Sequence, residues 1–191
     1  VSLWFDASNV DGALNQTLSV GDSISEWKDL SGNNHHATQL TASRQPILGS
    51  WNLNDRNAIS FDNSIGHYFE LPTTTSDTFD DLTIFAVIRT GSSLNGRVYH
   101  HKAVTIGSVE SNNSATFWNY ASSSVRGEVS IDVGTNASYL MSYTYSKDNI
   151  SRAVINGREV AETSTGIDYQ MGHSERTIGT HYGLGSNTWW N

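Results

Sequence analysis

Two carboxylates in the chain come nearest to a hydrolytic pair. Glu128 and Asp132 lie four residues apart in an alternating run in which Val129, Ile131 and Val133 take the opposite face. At strand rise they stand about 13 Å apart, beyond the roughly 5 to 9.5 Å that glycoside hydrolysis uses, and Ser130 fills the position between them. The pair reads as a solvated strand face. A polysaccharide lyase needs a base beside a cation, and His100-His101-Lys102 is the clustered candidate. Neighbouring strand residues point to opposite faces, so one of these histidines at most serves a given site and the other belongs to the core or the surface. No Gly-rich phosphate loop, His-Glu-x-x-His helix or nucleophile elbow is present.

Oxygen donors are more promising. Asp6, Asp29, Asn33, Asp62, Asp80 and Asp81 fall at strand ends or in loops, where carboxylates and free carbonyls can converge on Ca²⁺. Each can equally cap its own turn by accepting backbone N–H groups. The segment from Asp6 to Gly12 has an EF-hand flavour but lacks the alternation and the distal Glu.

Ligand contact is expected at polar-flanked aromatics. Trp118 and Tyr120 share a strand face with Ser114 and Thr116, a surface on which a sugar ring or a peptide side chain could stack. His181 and Tyr182, with Trp189 and Trp190, form a second cluster, which could instead close the core. The candidate ligand-binding set is therefore Trp118, Tyr120, His100, His101, His181 and Tyr182. Tyr139, Met141, Tyr143 and Tyr145 share one face and read as core lining.

Composition excludes several classes. A net charge of −8 with 11 basic residues among 191 opposes nucleic acid and anionic membranes as partners. Without cysteine there are no disulfides or thiolate metal sites. No run of about 18 apolar residues could insert into a bilayer. Two prolines and sixteen glycines are scattered without marking a linker, so residues 1–191 are expected to form one domain.

The elements that position these residues are strands. Ser2 to Asp6 reads as the first, and Val10 to Asn15 as a turn-rich loop. Glu26 to Thr38 is a corner: Trp27 is a core anchor, while Asp29, Ser31, Gly32 and Asn33 bond their own backbone or accept positive φ. Leu82 to Ile88 is almost continuously apolar and is expected to be a central strand buried on both faces. Asn156-Gly157 between two β-prone runs predicts a type I′ hairpin. Many short strands without an amphipathic helix give an all-β fold, a two-sheet antiparallel sandwich.

The pattern Trp27-x-Asp29-x-Ser31-Gly32-Asn33-x-x-x-Ala37, preceded by Leu3-Trp4-Phe5-Asp6-Ala7-Ser8, resembles the opening of bacterial LamG-like jelly-roll domains of the concanavalin A-like lectin and glucanase superfamily. Ala58 to Asp62, Tyr68 to Pro72, Leu82 to Ile88, Val154 to Val160 and Thr177 to Gly179 follow in the same order. The resemblance implies a jelly roll and a non-catalytic extracellular adhesion module. Such a module recognises a glycan or peptide on a cell surface with the help of Ca²⁺ and is flanked by other domains of a larger chain. It also implies a final strand after Trp189-Trp190-Asn191 that this sequence lacks. A carbohydrate-active enzyme or a structural spacer are the alternatives that the same superfamily offers.

Overall fold

The computed structural model describes residues 2–53, 56–62, 64–72, 81–91, 96–101, 104–109, 114–122, 125–146, 150–164 and 176–179. Apart from one short 3₁₀ turn at Ala42–Arg44, its regular structure is antiparallel β, the all-β class expected. Internal packing divides it into two units, one running to Pro72 and resuming at Arg176, the other spanning Thr73–Glu175.

The first unit contains β1 (Glu26–Trp27), β2 (Ala37–Thr38), β3 (Ile47–Leu53), β4 (Arg56–Ser60), β5 (Phe69–Glu70) and β14 (Arg176–Gly179). The strands β1, β2, β5 and β14 lie side by side, with Trp27 opposite Ala37, Thr38 opposite Glu70 and Ile178 opposite Phe69. The strands β3 and β4 form a separate hairpin. Phe69 is the hub of the core. Fully buried, it has the Trp27 ring at 6.0 Å and the Phe61 ring at 6.0 Å edge-on, while Phe5 meets Trp27 at 5.2 Å. These tilted and edge-to-face contacts are the geometries that ring quadrupoles favour. Val10, Ile24, Leu48 and Leu71 complete the packing.

Ser2 to Asp6, expected as the first strand, joins no ladder among the described residues. Its backbone bonds go elsewhere: Trp4 N–H donates to Asp29 Oδ1 at 3.0 Å, and Leu30 N–H donates to the Trp4 carbonyl at 2.8 Å. A carboxylate stands where a partner strand's carbonyl would be, which satisfies the donor without a sheet.

The second unit holds β6 (Asp81–Arg89), β7 (Gly96–His101), β8 (Val104–Val109), β9 (Ser114–Ser122), β10 (Val125–Asp132), β11 (Ser138–Ser146), β12 (Ile150–Ile155) and β13 (Arg158–Ser164). The strands β7 to β10 make an antiparallel meander, and a four-stranded sheet runs β13-β12-β11-β6. The inner face of the latter carries Met141, Tyr143, Ala153 and Ile155, all buried, so the aromatic stripe expected to line a core does so at Tyr143. Asn156 and Gly157 adopt φ of 51° and 79°, the double positive φ of the predicted hairpin turn. The Asn156 side chain also accepts from Leu140 N–H at 2.9 Å while its own N–H donates to the Leu140 carbonyl, tying the turn to β11. At the other end Thr90 Oγ accepts from Ala137 N–H at 3.0 Å and donates to the Gly134 carbonyl at 2.6 Å, clamping the turn that follows β10.

The strand β6 departs from expectation. It pairs with β11 along its whole length but stands at the end of its sheet among the described residues. Its side chains alternate between exposed (Thr83, Phe85, Val87, Arg89) and half-buried (Leu82, Ile84, Ala86, Ile88). A continuous apolar run signals burial of two faces only where other layers pack on both, and here the face that carries Phe85 and Val87 is open to solvent.

Candidate functional site

Three Asp-x-Ser sequences in the first unit fold in the same way. Asp6 Oδ1 accepts from Ser8 N–H at 2.8 Å and Ser8 Oγ–H at 2.7 Å, and Asp62 Oδ1 from Ser64 N–H at 2.9 Å and Oγ–H at 2.6 Å. Asp29 goes further. Its Oδ1 accepts from Trp4 N–H and from Ser31 N–H at 2.9 Å, and its Oδ2 from Ser31 Oγ–H at 2.8 Å and His35 N–H at 3.0 Å. Burial pushes the Asp29 carboxyl up, and the bonds from Ser31, Trp4 and His35 outweigh it, holding the group below its ordinary value of 3.8. Hydrogen bonds from Ser64, against burial and with the His67 charge assisting, lower Asp62 likewise.

The turn after Asp29 is fastened on its far side too. Ser31 Oγ and Asn33 Nδ2 both reach the Ser2 carbonyl, at 3.3 and 3.2 Å. Gly32 and Asn34 take positive φ, 90° and 60°, as the corner required, though the strained position falls on Asn34 and not on Asn33. Asp29 N–H donates to His36 Nδ1 at 3.0 Å. The loop from Asp6 to Leu18 is held against the same stretch. The Trp27 indole N–H donates to the Asp6 carbonyl at 3.1 Å and Lys28 N–H to the Val10 carbonyl at 2.9 Å, while the buried Asn15 amide bridges Val10 N–H and the Ala7 carbonyl.

On this fastened rim stands Trp4, 54% exposed, with both of its backbone groups bonded to residues 29 and 30. A large ring held open to solvent by a rigid backbone, with the Ser31 hydroxyl and the Asn33 amide anchored two residues away, is suited to stack on a flat, partly polar ligand. Sequence reasoning did not single out this residue as an exposed ring. The signal was present: Phe5 belongs to the core, and an extended segment that turns Phe5 inward turns Trp4 outward.

The predicted site residues scatter. Asp6, Asp29 and Asn33 lie on the Trp4 rim, and Asp62 on a separate loop ahead of β5. His100 is buried in β7, with Arg97 Nη1 3.3 Å from its Nδ1. His101 ends the same strand opposite Val104. Trp118 and Tyr120 sit in β9 opposite Glu128 and Arg126, and Asp81 opens β6, with their side chains outside the described part. Asp80, His181, Tyr182, Trp189 and Trp190 lie outside the described residues.

As for calcium, Asp29 does not fit a cation cage, because both of its oxygens face N–H and O–H donors. Among the described residues no three metal-ligating side chains converge. Of the predicted ligands with described side chains, Asp6 and Asp62 accept from their serines through Oδ1 and not through Oδ2.

Neither a family model nor a curated protein sequence matches the chain. Solved structures do. The binding domain of Paraclostridial Mosquitocidal Protein 1 is 15% identical with a TM-score of 0.58, over 85% of this chain and 47% of that one. Botulinum neurotoxin type C, whose cell entry depends on interaction with two ganglioside molecules, is 16% identical with a TM-score of 0.51, over 89% of this chain and 44% of that one. The chain thus spans less than half the length of the structures it resembles, and at this identity what it shares with those toxin domains is an all-β fold.

Proposed function

We propose that the chain is a non-catalytic, extracellular ligand-binding module that recognises a glycan by stacking a sugar ring on Trp4. The observation that carries this reading is the half-exposed indole whose backbone is pinned by Asp29 and Leu30. Preorganisation of that kind removes the ordering cost of binding. The Ser31 hydroxyl and the Asn33 amide supply polar contacts beside the apolar ring, the division of labour found in sugar sites. Glycan recognition by a structural neighbour, the type C neurotoxin with its gangliosides, lends support to the class of ligand. A LamG-like adhesin module and a peptide ligand are the finer and the competing versions of the same reading. Calcium belongs to the same reading as an ion that orders the loops carrying Asp6 and Asp62.

The test is a glycan array probed with wild type and Trp4→Ala, each with millimolar Ca²⁺ and with excess chelator. Wild type is expected to bind a defined glycan set, and Trp4→Ala to lose affinity by about tenfold or more, the loss of a stacked ring being worth about 1.4 kcal/mol or more. Unchanged affinity in the variant removes Trp4 from the site. Binding and melting temperature both insensitive to chelator remove the calcium.

A further inference from the structure

The groups around Trp4 bear on the charge of its ligand. Their protons are turned inward. Ser31 Oγ–H donates to Asp29 Oδ2 at 2.8 Å, and Asn33 Nδ2 donates to the Ser2 carbonyl at 3.2 Å and to Ser31 Oγ at 3.1 Å. The N–H groups of Trp4, Leu30, Ser31, Asn33 and His35 each have an acceptor within the fold. A sugar hydroxyl both donates and accepts, so it can give its proton to an oxygen of the rim. A carboxylate or sulfate only accepts, and these donors are already committed.

Charge acts in the same direction. Residues 2–36 carry the carboxylates Asp6, Asp11, Asp22, Glu26 and Asp29 against a single ammonium, Lys28. Lys28 Nζ lies 2.5 Å from Glu26 Oε1, so that cation is paired. Asp29 Oδ1 lies 3.0 Å from Trp4 N, and its bonds to Ser31 and His35 keep the carboxylate from swinging away from an approaching anion. Asp6, two residues along from Trp4, is held by Ser8 in the same manner. Like charges that do not rearrange oppose binding and so discriminate between ligands. A Ca²⁺ beside Asp6 would leave the segment negative.

We propose that the Trp4 rim selects uncharged glycans and turns away those that carry a sialic acid, uronic acid or sulfate next to the stacked ring. This selection rests on the stacking of a sugar on Trp4 and makes charge, besides ring shape, a determinant of specificity.

An array of matched pairs tests it on the full chain, with millimolar Ca²⁺ throughout. Galactose-, glucose- and N-acetylglucosamine-terminated oligosaccharides each stand beside a sialylated or sulfated counterpart. At about 0.01 M salt, where charges act over about 30 Å, wild type is expected to bind the neutral member of a pair at least about tenfold more tightly. At about 1 M salt, where the range falls to about 3 Å, the gap is expected to narrow. Glu26→Gln removes one carboxylate and releases Lys28, and should raise affinity for the charged members about threefold or more while leaving the neutral ones unchanged. Charged members that bind as tightly as their neutral partners and are lost in Trp4→Ala overturn the selection and leave glycan stacking standing. A gap that salt leaves unchanged, or a Glu26→Gln variant no better for the charged members, overturns it equally. Binding to no pair, or binding that Trp4→Ala does not weaken, removes the stacking and the selection with it.

Discussion

At the scale of single residues, Asp29 does most to shape the proposed binding rim. It replaces a strand partner for Trp4 and closes the Ser31 to His35 turn with one buried carboxylate. Asp29→Ala leaves several donors without an acceptor, and the expected loss is roughly 2 to 4 kcal/mol, read as a lowered denaturation midpoint with unchanged slope. The pH dependence follows from the same bonds. Because the folded carboxyl lies below its ordinary value of 3.8, the stability it contributes is complete above that value and is lost as pH falls through the lower, folded one. Asp62 acts with the same sign. Acid titration of the melting temperature should therefore show a fall confined to the region below about pH 4, shallower in Asp29→Ala than in wild type. Much of this was legible in the sequence, because an aspartate two residues before a serine and three before a glycine caps its own turn by local geometry. That one oxygen of Asp29 would reach back 25 residues to Trp4 was not legible, since nothing local encodes it.

Elements divide along the same line. The hairpin at Asn156-Gly157 was readable because two residues dictate a turn that matches strand twist. The run from Leu82 to Ile88 was readable as a strand but its place at the end of the described sheet was not, because that place depends on partners elsewhere in the chain. Two glycines show how context alters the same backbone requirement. Gly157 and Gly179 both have positive φ, 79° and 98°, but a Cβ on Gly157 would meet open space whereas one on Gly179 would run into the Phe61 ring. Gly157→Ala is expected to cost about 1 kcal/mol of backbone strain, and Gly179→Ala roughly 3 because the aromatic core must also move. Paired urea titrations of the two variants check the order, and a Gly179→Ala variant no less stable than Gly157→Ala would show that Phe61 yields freely.

At the scale of the molecule, composition settled what the chain does not resemble and left its ligand open. A cysteine-free, acidic, strand-rich chain fits an all-β sandwich, and its distant structural neighbours share that fold. The order of its strands carries a kinetic consequence. The strand β14 pairs with β5 through Ile178 and Phe69, and Leu71 N–H donates to the Arg176 carbonyl at 2.9 Å, so contacts over a hundred positions apart complete the first unit. Closing so long a flexible loop is entropically unfavourable, whereas a folded segment of about 100 residues has a radius of gyration near 13 Å in place of about 30 Å unfolded. The continuous segment Thr73–Glu175 should collapse first and draw the two ends of the first unit together. In pulse-labelled hydrogen exchange during refolding, amides of β11 and β12 are expected to become protected before those of Phe69 and Ile178. The reverse order would mean that the aromatic hub assembles across an unfolded loop. If the order holds, the chain spends part of its folding time with Phe69, Trp27 and Phe61 still open to solvent, and aggregation during refolding should begin in that interval, at the ring cluster beside which β14 pairs.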